Sequence, residues 1–248
     1  MGNFISNLFQ NGKPKMHLVV PYRAWPDTKR EEHLKTFIPH MTEYLKKRGI
    51  NYEIWVIEQI DQTPFNKCML YNIAMKILQE YDPNSYVCFH DVDIVPEGDC
   101  DYSCPEIGTV RQLYGYKFCL ALFTIRFADL LKMNGFSNLY DYWGYEDNDI
   151  LRRVQRIGLT IDYSTFTERY DERVFRELHI EDLNGPLERM KLDTTKTNEQ
   201  IFNKNIDSNI DGLSVLKAWK GSTRVIPGNG FNKVLVNVAE LRENNFNY

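Results

Sequence analysis

The sequence predicts an α/β fold: a mixed, mostly parallel sheet flanked by helices, in a single domain. Three observations carry this. Over residues 16–100 the apolar runs alternate strand, helix, strand, helix, strand. The strand runs are nearly continuously apolar, as in a sheet covered on both faces. Polar residues able to do chemistry, Arg23 and Asp91 to Asp93, fall just past strand ends, where such sheets bind ligands.

Met16 to Val20 is a short apolar strand that runs into Pro21-Tyr22-Arg23. Arg30 to Lys47 is helical, since Leu34, Phe37, Ile38, Met41, Tyr44 and Leu45 recur at helical spacing and Gly49 follows as a stop. Tyr52 to Ile57 is the second strand and Asn66 to Gln79 the second helix, striped by Leu70, Ile73, Ala74, Ile77 and Leu78. Tyr86 to Phe89 is the third strand. Residues 97–117, with Gly98, Pro105, Gly108 and Gly115, read as a loop. Phe118 to Ile125 is a strand, Arg126 to Met133 a short helix, and Ile150, Leu151, Val154 and Ile157 stripe another helix. Residues 183–210 are polar, with two helical pieces, and Gly212 to Val215 and Lys233 to Val238 read as strands. Residues 1–15 read as a tail.

Composition excludes several classes. The chain has 248 residues, 43% hydrophobic and 26% charged, ordinary for a globular protein. Its net charge of −4 argues against a protein built around nucleic-acid phosphates. Five cysteines, an odd number in a chain this long, do not look like a disulfide framework, and a Cys100–Cys104 loop disulfide is expected only in a secreted protein. No run approaches the roughly 18 apolar residues that span a bilayer, and no basic-then-apolar signal peptide opens the chain. A cytoplasmic protein is expected. The start Met1-Gly2-Asn3-Phe4-Ile5-Ser6 fits a myristoylation pattern, so a weak peripheral membrane contact through acylated Gly2 is also expected.

Two stretches carry the chemistry. Asp91-Val92-Asp93 sets two carboxylates one residue apart, on one face if the chain is extended. Like charges so close call for a cation, and at a strand end that is often a metal with a phosphorylated ligand. The bland reading, a solvated acidic turn, fits most such triplets. The second stretch is Trp143-Gly144-Tyr145-Glu146-Asp147-Asn148-Asp149. Acidic residues favour a helix N-terminus, which accounts for one or two of them. It does not account for Trp143-Gly144. An aromatic plane beside carboxylates suits a sugar, the ring covering its apolar face and the carboxylates accepting from its hydroxyls.

The ordered set Val20-Pro21-Tyr22-Arg23, Phe65-Asn66-Lys67, Asp91-Val92-Asp93, Asn134-Gly135-Phe136 and Trp143 to Asp149 resembles the β-1,4-galactosyltransferase family over about residues 16–215. The resemblance implies a GT-A, Rossmann-like fold, a UDP-sugar donor, Mn²⁺ (or Mg²⁺) and inversion at the anomeric carbon. It implies a nucleotide-binding half, residues 16–100, and an acceptor- and metal-completing half, residues 101–248. Pro21, Tyr22, Arg23, Phe65 and Lys67 would hold the nucleotide and its phosphates, with Lys67 where the family has Arg. Asp91, Val92 and Asp93 would form the donor- and metal-binding triplet. Trp143 and Gly144 would close on the donor and acceptor. Asp147 would be the base and Glu146 its acceptor-orienting neighbour. Asp93 and His179 would hold the metal, with Glu177 as a third ligand. The sequence departs from the family pattern at Trp25, at Leu120-Ala121 and at Tyr145.

The function expected is transfer of a hexose, galactose foremost, from a UDP-sugar to a sugar hydroxyl in a β-linkage. Glu146 beside Asp147 is expected to raise the base's proton affinity by like-charge repulsion. Two rival readings use the same residues. A non-catalytic nucleotide-sugar-binding module would need no positioned base. A metal-dependent phosphohydrolase would leave Trp143-Gly144 and Glu146-Asp147 unexplained.

Overall fold

The structure, a computed structural model, describes residues 14–24, 29–178, 193–204, 206, 210–228 and 230–246. The chain opens with β1 (Met16–Tyr22), α1 (Arg30–Lys47), β2 (Tyr52–Gln59), α2 (Lys67–Tyr81) and β3 (Tyr86–Phe89). There follow β4 (Ile94–Pro96), β5 (Thr109–Gly115), β6 (Leu122–Arg126), α3 (Phe127–Lys132) and α4 (Glu146–Arg156). The remainder is β7 (Thr160–Asp162), β8 (Thr167–Glu168), β9 (Phe175–Glu177), α5 (Asp193–Lys204), β10 (Thr223–Pro227), β11 (Asn232–Val236) and α6 (Val238–Asn245).

One nine-stranded sheet runs β10-β11-β2-β1-β3-β6-β5-β7, with β8 on β5, and β4 and β9 form a separate antiparallel ribbon. Strand β1 is parallel to both β2 and β3, and β11 is parallel to β2. Antiparallel pairing enters at β3–β6, β5–β6 and β10–β11, so the sheet is mixed.

The near-continuous apolar strands are explained by two cores. In β1, Val19 faces the core that contains α2, α3, α4 and α6, whereas Met16, Leu18 and Val20 face the core that contains α1 and the β4–β9 ribbon. In β2, Trp55 and Ile57 go to the first core and Ile54 and Val56 to the second. This period of two places one side chain on each face at every step.

Because β2 and β3 flank β1 on opposite sides, the chain reverses direction of travel across the sheet at β1. A crevice opens at such a reversal, outside the strands' carboxyl ends. Arg23 follows β1 and Asp91 follows β3, so both stand at this crevice.

Several sequence expectations are corrected. The run read as a loop over 97–117 contains β5 (Thr109–Gly115), an interior strand whose glycines punctuate its ends. Leu213–Val215 is a 3₁₀ turn, not a strand. The final strand stops at Val236, and Val238 begins α6 because the Asn237 side chain caps it by accepting from Glu240 N–H at 3.1 Å. The tail over 1–15 and its acylation pattern lie almost wholly outside the described residues. Among the described residues no helix is long and apolar enough to cross a membrane.

Candidate active site

The acidic triplet is not the extended segment that the one-face argument assumed. Backbone pairing with β1 ends as His90 N–H donates to Val19 C=O at 3.1 Å, and Val92 and Asp93 form a turn before β4. Burying Val92 in the α1-side core fixes that turn. The two carboxylates still feel each other. Burial raises the Asp91 carboxyl's proton affinity, Lys67 and Arg30 oppose this, and Asp93 and Glu146 reinforce it. Asp93 Oδ2 accepts from Arg30 Nη1 at 2.5 Å, and the Asp93 backbone C=O accepts from Leu178 N–H at 2.7 Å. Arg30, the first residue of α1, went unnoticed in the sequence because it reads only as a helix start.

On the neighbouring strand end, Arg23 donates to Thr63 C=O at 2.7 Å and its guanidinium lies 5.3 Å from the Phe65 ring centroid. It also bonds to Tyr142, whose backbone N–H donates to Phe65 C=O at 2.7 Å. Pro21 and Tyr22 close β1 as buried residues. Burial beside Glu58 and Glu31 pushes the Tyr22 hydroxyl up to about 12, so it stays a neutral hydrogen-bonding group. Arg23 and Phe65 thus share one wall, offering a cation and an aromatic face.

Opposite stands the start of α4. Glu146, Asp147 and Asp149 occupy its first turn, where the helix dipole favours negative charge. The turn is fixed from three sides. Leu120 N–H donates to Asp147 C=O at 3.0 Å, and Asn148 Nδ2 donates to Phe118 C=O at 2.9 Å, tying α4 to the β5–β6 connection. Behind it, buried Arg153 donates to Asp149 at 2.8 Å, to the Asp211 carboxylate at 3.1 Å and to Asp211 C=O at 2.9 Å. Gly212 makes that joint feasible: at φ 154° a Cβ there would lie 2.2 Å from Asn134 C=O. The Asn134-Gly135-Phe136 turn is held in turn by Asn72 of α2, which accepts from Phe136 N–H at 2.9 Å and donates to Phe136 C=O at 2.7 Å.

Lys67 joins the two sides. Its ammonium lies 2.8 Å from Asp147 Oδ1 and 3.2 Å from Glu146 Oε1, and it also feels Asp91. Burial, with help from Glu146 and Asp91 and against the pull of Lys67, pushes the Asp147 carboxyl up to about 7. The repulsion expected from Glu146 therefore operates, but desolvation is the larger cause. A carboxylate that titrates near neutrality is matched to general-base work at that pH.

Trp143 is 54% exposed. Its segment is pinned from α5, where Asn198 Nδ2 donates to Asp141 C=O at 2.9 Å and to Trp143 C=O at 3.3 Å. Gly144, at φ 105°, gives the segment a conformation that L side chains resist.

Metal-binding capacity is legible in the charges. Asp91, Asp93, Glu146 and Asp147 meet Lys67 and Arg30, a formal surplus of two negative charges among the described residues. A divalent cation matches that surplus, and Arg30 already holds Asp93 as a cation would. Asp93 fits as an oxygen ligand. His179, the other expected ligand, lies outside the described residues. Glu177 is committed elsewhere: its oxygens accept from Arg169 at 2.8 and 3.1 Å and from Tyr114 Oη at 2.5 Å. A carboxylate buried to this degree needs such donors, and a metal expected on Glu177 would have to displace Arg169 or Tyr114 from it. Among the described residues no three His, Cys, Asp or Glu side chains converge as a metal site.

Sheet order, a switch-point crevice carrying an acidic triplet and a carboxylate pair opposite it define an α/β glycosyltransferase fold of the GT-A class. Comparison with known proteins narrows this. The profile for the N-terminal region of glycosyl transferase group 7 matches residues 10–105, and that for the N-terminal domain of galactosyltransferase matches residues 111–181. The chain belongs to the β-1,4-galactosyltransferase family. It is 32% identical to human β-1,4-galactosyltransferase 7 over 178 residues, 68% of this chain and 52% of that protein. It is 26% identical to the xylosylprotein 4-β-galactosyltransferase of Caenorhabditis elegans over 241 residues, 93% of this chain and 80% of that protein. The chain thus spans about half the length of the human relative and more of the worm one. The catalytic domain of Drosophila β-1,4-galactosyltransferase 7, solved with xylobiose, superposes with a TM-score of 0.68 at 25% identity, covering 90% of this chain and 93% of that one. A variant of that domain, solved with manganese, UDP-Gal and xylobiose, superposes equally well.

Proposed function

We propose that the chain is a metal-dependent, inverting galactosyltransferase that moves galactose from UDP-galactose to a sugar hydroxyl in a β-linkage. The observation that carries this is the Asp147 carboxylate, half-buried beside Glu146 and facing the acidic triplet across Lys67. Binding alone requires no such base. The relatives' names and the ligands of the Drosophila structure support the donor and the metal, and a terminal β-xylose is the acceptor they favour.

In this reading the uridine end of the donor lies against Arg23 and Phe65, with Pro21 and Tyr22 shaping the floor. Asp91 borders the donor sugar, whereas the Val92 side chain, expected at the donor, is buried in the α1-side core and can offer only its backbone. Asp93 and His179 would hold Mn²⁺ through oxygen and nitrogen, a mixture that suits Mn²⁺ better than Mg²⁺. When bound, the metal would neutralise charge on the departing diphosphate. Trp143 and Gly144 cover the donor and acceptor, and Glu146 accepts from an acceptor hydroxyl to orient it. Asp147 takes the proton of the attacking hydroxyl. The oxygen of that acceptor hydroxyl bonds to the anomeric carbon as the bond to UDP breaks on the opposite face, which inverts the centre. The electron pair leaves on UDP and the proton stays on Asp147.

Acylation at Gly2 belongs to the same reading as a weak peripheral membrane tether, detectable as a mass increment on the intact protein. The deciding experiment measures UDP release from a panel of UDP-sugars, with Mn²⁺ or EDTA, with and without a β-xyloside. Metal-dependent release from UDP-galactose, raised by the xyloside, is the expected result. Asp147→Asn should lose roughly 10²–10⁴ in rate. Transfer at near wild-type rate in that variant would overturn the assignment of the base, and release from no donor, with Mn²⁺–UDP binding intact, would make the chain a binding module.

A further inference from the structure

Lys67 sits where a helix does not want it. It is the first residue of α2, at the helix end whose dipole repels cations. Its backbone has no freedom to leave. Asn66 caps the helix by accepting from Met69 N–H at 2.8 Å, donates to Asn138 C=O at 2.8 Å, and has its own N–H bound by Gln59 Oε1 at 3.1 Å. The Lys67 side chain is only 11% exposed. A cation desolvated at the unfavourable end of a helix is retained only for the anions it meets: here Asp147 and Glu146 in direct contact, with Asp91 acting on it from the triplet.

We infer, on the transferase reading above, that Lys67 is a positioning residue for the base: its ammonium clamps Glu146 and Asp147 together and fixes the direction of the Asp147 carboxylate. A donor-phosphate contact alone does not explain the two short contacts to the α4 carboxylates. Both oxygens approached belong to adjacent residues on one helix turn, so a single ammonium sets their relative orientation. The same contact favours the ionised base. The groups facing Asp147 are Lys67, Cys68 and Tyr71 from α2, Glu146 from α4, Asp91 from the triplet and Cys119 from the β5–β6 connection. Lys67 is the cation among them; the thiols and the phenol are driven neutral by burial. Its removal leaves Asp147 among Glu146 and Asp91, and the carboxyl must then hold its proton to higher pH.

The test compares wild type with Lys67→Met and Lys67→Arg. Acceptor-dependent turnover is measured against pH at saturating UDP-galactose, and the Asp147 carboxyl is titrated directly by ¹³C NMR in the donor-free proteins. In Lys67→Met the acid limb and the NMR midpoint should both move up by at least about one pH unit, as loss of a close opposite charge requires. Turnover at pH 7 should fall by at least about fivefold, because each unit costs tenfold in ionised base. Lys67→Arg should restore both midpoints. An unmoved limb and midpoint, with the loss confined to the KM for donor, would overturn the inference and leave Lys67 a phosphate grip. The NMR titration reads the clamp without turnover. Its failure is therefore separable from failure of the transferase reading, which wild-type inactivity toward every donor would signal.

Discussion

Arg153 holds the base-bearing helix to the rest of the molecule, and replacing it by Met should be costly. Its side chain is 2% exposed and meets two carboxylates, Asp149 and Asp211, that are themselves 6% and 5% exposed. Removing one member of a buried ionic cluster typically costs about 3–5 kcal/mol, because it strands the charges left behind. Here neither anion is wholly stranded. Asp149 keeps the Arg152 guanidinium, and Asp211 keeps Asn138 N–H at 2.9 Å. The lower figure, about 3 kcal/mol, is therefore expected. For a chain of this size that corresponds to a fall in Tm of about 6–12 °C. Thermal unfolding followed by circular dichroism measures it, with Asp211→Asn and the double variant completing a cycle. The coupling between the two positions should lie within roughly 0.5–3 kcal/mol. A Tm change below about 2 °C, or additive single effects, would refute the argument: the cluster would then break even, and α4 would owe its place to Ile150 and Val154 in the core.

Three further outcomes follow from the geometry. With the Asp147 carboxyl pushed up to about 7, wild-type turnover should fall about tenfold for each pH unit below that midpoint, since the base works only unprotonated; a midpoint near 4 in a pH–rate profile would contradict this. Arg30 competes with a cation for Asp93, so Arg30→Ala should lower the half-activating Mn²⁺ concentration about two- to fivefold in a UDP-release titration, and a higher requirement would show that Arg30 serves the donor instead. Asn66→Ala removes the α2 cap and strands Asn138 C=O, costing about 2 kcal/mol in urea unfolding, with a loss under about 0.5 kcal/mol counting against the cap.

What the sequence revealed follows from where physical cause is local. The alternation of apolar strands and amphipathic helices up to Phe89 is legible because each strand is covered on both faces, and the period of each helix is set by one core. The triplet and the Glu146–Asp147 pair stand out because charge next to apolar runs is costly unless used. β5 was hidden because Arg111 and Gln112 interrupt its apolar run. Arg111 turns out to pair with Asp162 at 2.9 Å across the β5–β7 ladder, a partner far along the chain. The start of α6 was legible in principle, since Asn237 and Glu240 have cap spacing, but the Val234-Val236-Val238 alternation masked it. Arg153 with Asp211, and Lys67 with Asp147, were not legible at all. Each joins residues tens of positions apart, and nothing near either partner in the chain marks it as half of a pair.

Strand β11 has a consequence for how the protein is made. Asn232–Val236 lies parallel against Trp55–Gln59, so the last of the described strands completes the sheet beside one of the earliest. As the polypeptide leaves the ribosome, β1, β2 and β3 can pair once Phe89 has emerged. The outer backbone edge of β2, beside the apolar Trp55 and Ile57, must then wait unpaired until Asn232–Val236 is made. A rim of that kind invites pairing with a neighbouring nascent chain. Its long sequence separation also makes this closure slow compared with the local helices. Lysine offers one safeguard: Lys233 reaches Glu58 at 2.6 Å, so the late strand arrives carrying a charge that fits β2. Yield in cell-free synthesis should therefore respond to chaperone supply most strongly when release is delayed just before Asn232, and the late pairing of β11 with β2, not the crevice chemistry, would govern how much active protein a cell obtains.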